Sequence, residues 1–105
     1  MGANEVRLND IGTVFEFEIK DGSTVVDVSG QTTMEIFFLK ADGTTKITQN
    51  AVFSDDGVDG KIRYVTVSGD LDQVGKGWKR QGHVVISSGE WRTDIIDFEV
   101  HPNID

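Results

Sequence analysis

Four Asp-Gly pairs cut this sequence into short pieces: Asp21-Gly22, Asp42-Gly43, Asp56-Gly57 and Asp59-Gly60, with Ser88-Gly89 as a fifth break. Glycine accepts a positive φ and aspartate hydrogen-bonds its own backbone, so each pair reads as a reversal between strands. The runs between them are rich in Val, Ile, Phe and Thr, which suit a pleated surface. No run holds the helical apolar period for about ten residues or more. A chain so divided can build only an all-β fold.

The clearest strand is "TVFEFEIK", Thr13 to Lys20. Phe15, Phe17 and Ile19 alternate with Glu16, Glu18 and Lys20, which predicts one buried face and one wet face, with Phe17 in the core. "TVVDVSG" is a short extended piece. In "TTMEIFFLK", Thr32 to Lys40, Met34, Ile36 and Phe38 share one face while Phe37 and Leu39 lie on the other. Such a two-sided strand is either covered by a second layer or offers a face to a partner. Ile47 to Phe53 is a weaker strand, and "KIRYVTVSG" a well-formed one. Leu71 and Val74, three apart in "GDLDQVGKGW", suggest a short helical or 3₁₀ turn. Trp78 to Ile86 and Trp91 to Val100 read as a hairpin across "SSGE". About seven strands at this spacing predict an immunoglobulin-like, two-sheet antiparallel β-sandwich, with a small closed barrel as the alternative. The 105 residues make one domain, its compact unit spanning about residues 6–100.

The stretch "VGKGWKRQGHVV" gathers Trp78, Lys76, Lys79, Arg80 and His83. As a strand, it puts Trp78, Arg80, Gly82, Val84 and Ile86 on one face, and Lys79, Gln81, His83 and Val85 on the other. Trp78, Val84 and Ile86 are expected in the core, and Lys79, Gln81 and His83 in solvent. Gly82 inside the run points to a bulge or a close backbone approach.

Composition narrows function more than it names it. The net charge of −8 repels nucleic-acid phosphates and anionic membranes, so neither is an expected partner. With no cysteine there is no disulfide framework or cysteine zinc cluster. No apolar run approaches the roughly 18 residues of a membrane span. "MGANEVRLND" lacks the pattern of a secretory signal, and Val6 stands where myristoylation needs Ser or Thr.

Catalytic chemistry finds little to work with. His83 and His101 are the two histidines, and neither a nucleophile elbow nor a phosphate-cradling glycine loop occurs. The expectation is a protein that is not an enzyme and holds no cofactor. Asp55, Asp56 and Asp59 in "SDDGVDGK" could offer oxygens to calcium, but their spacing lacks the D-x-D-x-D-G pattern. Turn capping accounts for them instead, and no metal is expected. Trp91 could stack on a sugar ring or contact a partner, although packing at an edge strand accounts for it better.

Four elements recur in order: D-x-S-G at Asp27 to Gly30, K-A-D-G-T at Lys40 to Thr44, D-G-K-I-x-Y at Asp59 to Tyr64, and L-x-x-x-G-x-G-W at Leu71 to Trp78. Over about residues 9–100 this order resembles the small immunoglobulin-like domain at the N-terminus of the upper baseplate proteins of tailed bacteriophages, and related phage virion proteins. The resemblance implies a structural virion protein of the tail, baseplate, neck or head, binding other virion proteins, including further copies of itself. Family domains usually continue into a longer chain, whereas this sequence ends at Asp105, so a separate accessory subunit is expected. Phe37, Leu39 and Trp91 are the candidate partner contacts. The alternative function is a carbohydrate-binding or adhesin-like module.

Overall fold

The computed structural model describes residues 6–30 and 32–104. The N-terminal stretch read above for a signal and for lipidation lies outside them, apart from Val6 onward, as does Asp105. Among the described residues the fold is all-β, without a helix, and no helix is long and apolar enough to cross a membrane. The eleven strands are β1 (Val6–Arg7), β2 (Val14–Glu18), β3 (Lys20–Asp21), β4 (Thr24–Val25), β5 (Thr33–Leu39), β6 (Lys46–Asn50), β7 (Val52–Phe53), β8 (Lys61–Val65), β9 (Gly75–Ile86), β10 (Gly89–Arg92) and β11 (Ile96–His101). Seven of them have four residues or more, and the other four are two-residue pairings.

A large sheet runs in the order β1-β11-β9-β5-β6, with β10 also on β9; a small sheet runs β2-β8-β7, and β3-β4 is a separate hairpin. The glycines of the four Asp-Gly pairs have φ of 64, 76, 84 and 73°, as reversals at those pairs demand. Gly89 differs: it opens β10 opposite Ile86, and a Cβ there would lie 2.9 Å from the Trp91 ring.

The small sheet lies against the large one through aromatic side chains. Phe15 of β2 packs on Phe38 of β5 at 5.4 Å and on Phe98 of β11 at 5.1 Å, between ring centroids. Phe15, Phe17, Ile19, Ile36, Phe38, Ile62, Trp78 and Val84 are all buried. The alternation of "TVFEFEIK" is therefore the pattern that fills the core. Tyr64 closes one end by donating to buried Asp70, which also accepts from Gln49 Nε2 at 2.9 Å and Val67 N at 2.9 Å. Burial, then the hydrogen bond to Asp70, pushes the Tyr64 hydroxyl far up from its ordinary value.

Three expectations are corrected. The segment around Leu71 is a hydrogen-bonded turn, Asp70 N to Val67 O, and not a helical one; Leu71 is buried while Val74 is exposed. The Trp91 to Val100 strand is broken at residues 93–95, so β10 and β11 share one edge of β9. At the break the Thr93 hydroxyl accepts from Gly82 N at 2.9 Å, and Thr93 N donates to Gly82 O at 3.0 Å. A side chain there replaces a backbone rung, and the strand stops. Finally, His83 is not in solvent; it is 6% exposed.

Candidate functional site

The two strands at the middle of the large sheet, β5 and β9, pair in register over Thr33–Leu39 and Lys79–Val85. One face of this pair is the core just described. The other carries Glu35, Phe37 and Leu39 from β5 beside His83, Gln81 and Lys79 from β9, with Thr48 and Lys46 of β6 opposite Phe37 and Leu39. The small sheet lies on the inner face, so Phe37 and Leu39 remain half-buried at the surface.

There they line a groove of about 340 Å³ with Lys46, Thr48, Gln81 and Ile95. Ile95, 60% exposed, comes from the break between β10 and β11 and stands on the groove's rim. Lys79 also lines it and is held by Asp97 at 2.7 Å. No carboxylate lines the groove, although the chain as a whole carries eighteen acids against ten Lys and Arg. Its floor is apolar and its rim basic.

Next to the groove His83 is clamped. Its ring stacks on Phe37 at 5.5 Å, Nδ1 lies 2.8 Å from Glu35 Oε1, and Nε2 lies 2.5 Å from Glu90 Oε2. Arg92 stands 3.4 Å from the same Glu90 carboxylate. The hydrogen bond with His83, then the Arg92 charge, holds the Glu90 carboxyl below its ordinary value. Both ring nitrogens are engaged, so neither is free to act on a nucleophile or a metal. The clamp ties β5, β9 and β10 together and fixes the Phe37 ring. Sequence reasoning missed it because Glu35 is 48 positions from His83.

The other predicted residues lie elsewhere. Trp91 pairs with Val84, on the inner face, where it packs half-buried against the core; it does not join Phe37 and Leu39. Asp56 Oδ1 accepts from Val58 N at 3.0 Å and Asp59 Oδ1 from Lys61 N at 3.0 Å. Each closes a turn two residues long, and Asp55 is exposed beside them. Among the described residues no three His, Cys, Asp or Glu side chains are arranged to hold a metal ion. His101 Nδ1 is 3.8 Å from Glu99 Oε2, at the far side of β11.

Comparison with protein-family models, with curated proteins and with solved structures gave no match for this chain.

Proposed function

We propose that this chain is a non-enzymatic assembly protein, an immunoglobulin-like β-sandwich that binds other proteins through the outer face of its large sheet. The observation that carries this reading is the half-buried Phe37 and Leu39 on the floor of a groove with a basic rim. Aromatic and aliphatic anchors in such a recess supply most of the energy of a protein interface. A groove that is open, apolar and without carboxylates suits holding a partner better than turning over a substrate. The order of turn motifs from Asp27 to Trp78, which resembles that of tailed-phage virion domains, supports virion proteins as the partners.

Phe37→Asp tests it. The ring reaches the surface, so the variant is expected to fold and to lose incorporation into purified particles. A variant that folds and still incorporates removes the groove from the interface. Wild-type chain that never co-purifies with particles, but binds a glycan array, replaces the assembly reading with the carbohydrate one.

A further inference from the structure

The small sheet ends at β2. β8 lies on one side of it, and among the described residues no strand lies on the other. Thr66 N donates to Thr13 O, and Ile19 N donates to Gly60 O. In this antiparallel ladder residues 13, 15, 17 and 19 thus face β8, and the N–H and C=O of Val14, Glu16 and Glu18 point outward. They form a free edge.

Beyond that edge the inner face of the large sheet is only partly covered by the described residues. β2 lies over β9 and β11, because Phe15 touches Phe98 and a Cβ on Gly82 would lie 3.3 Å from Phe17. Further out come Trp91, half-buried, and Ile96, 37% exposed. At the boundary sits Arg80, whose Cζ lies 4.8 Å from the Phe15 ring centroid and 5.6 Å from those of Phe17 and Phe98. Three rings hold this cation; among the described residues no acidic side chain pairs with it, and its buried Nε has no hydrogen-bond partner.

We propose that β2 is a receptor strand, to whose free edge an extended segment of a partner protein adds. The segment covers Trp91 and Ile96 with inward apolar side chains, sets one inward carboxylate against Arg80, and carries basic residues outward beside Glu16 and Glu18. Strand addition supplies affinity through main-chain bonds and specificity through alternate side chains. A second copy of this chain is the wrong occupant: antiparallel β2-β2 pairing centred on Glu16 places like charges directly opposite. Those glutamates guard the edge against itself. The Phe37 groove lies on the opposite face of the large sheet, and Arg80, which also lines that groove, is the residue the two surfaces share.

The probe is a synthetic peptide of about eight residues, a usual strand length, alternating lysine with valine and carrying aspartate at the central valine. An all-valine version and a scrambled one are its controls, and binding is read on the full chain by amide shifts and hydrogen exchange. The expected result is protection at Val14, Glu16 and Glu18, and about tenfold tighter binding of the aspartate peptide. Arg80→Met should erase that preference and leave the all-valine peptide unchanged. Glu16→Pro removes an outward N–H without breaking a rung to β8 and should abolish binding, whereas Glu16→Ala should keep it. If Glu16→Pro does not fold, wild-type exchange protection decides alone. Shifts centred on Phe37, equal binding of the scrambled peptide, or a preference surviving Arg80→Met would each overturn the proposal. So would a dimer of the free protein that protects the β2 edge.

Discussion

β9 presents two faces built by the same alternation, and each buries an ionisable group in a different way. On the inner face Arg80 stands among the rings of Phe15, Phe17 and Phe98. Burial lowers its affinity for a proton, and ring quadrupoles compensate for part of the lost water. On the outer face His83 is held between Glu35 and Glu90. The inner solution is non-directional and leaves a nitrogen unpaired; the outer one is directional and satisfies both nitrogens. The inner face is therefore set by packing, and the outer face by hydrogen bonds that position Phe37 beside a groove.

If so, substitutions on the two faces should differ in size and in response to pH. The largest loss is expected for Trp78→Ala, which empties a fully buried site and should cost about 3–5 kcal/mol in urea unfolding. A cost below about 1 kcal/mol would mean that the inner face can collapse around the gap. Gly82→Ala comes next, because its Cβ would sit 3.2 Å from Thr93 Cγ2 and 3.3 Å from Phe17 Cβ. That crowding should cost about 1–3 kcal/mol, and hydrogen exchange should show the β9-Thr93 contact opening first. His83→Gln, on the outer face, should cost about 1–2 kcal/mol and broaden the Phe37 ring signals by NMR. Unchanged ring signals would separate Phe37 from the clamp.

The smallest effect is the most diagnostic. Glu90 has its carboxyl lowered from 4.5 by His83 and Arg92. A folded-state value below the unfolded one contributes stability above about pH 4.5, lost as pH falls through the lowered value. The Tm curves of wild type and Glu90→Gln should therefore separate above about pH 5 and converge in acid. A difference that stays constant across that range would show that Glu90 acts through something other than its charge. Trp78→Ala should show no such convergence.

How much of this could be read from residue order depends on the range of the contact. Period-two alternation placed Phe15, Phe17 and Ile19 in the core, because Phe17 and Ile19 stand between charged neighbours that cannot follow them inside and Phe15 shares their face. The same alternation put Phe37 and Leu39 on the face opposite Ile36 and Phe38, and His83 on the face opposite Trp78. It could not reveal that His83 is buried, since its cover comes from Glu35 and Glu90 on other strands. Nor could it show that Arg80, counted on the face of Trp78, would stay there among rings. The stop at Thr93 was equally hidden. A threonine inside a β-prone run looks like strand until its hydroxyl takes the Gly82 N–H. Ile95 joins the groove only because of that stop.

The placement of β1 has a consequence for biogenesis. Val6 and Arg7 lie parallel to Val100 and His101, so the first of the described strands pairs with the last of them. Until residue 101 has emerged, β1 has no neighbour and the Val6 side of the core stays open. Pairing of β1 therefore waits for the whole domain to be made, and is slow in the way that far-separated pairings are. A nascent chain halted before β11 would expose the inner face of β9, an invitation to chaperones or to aggregation.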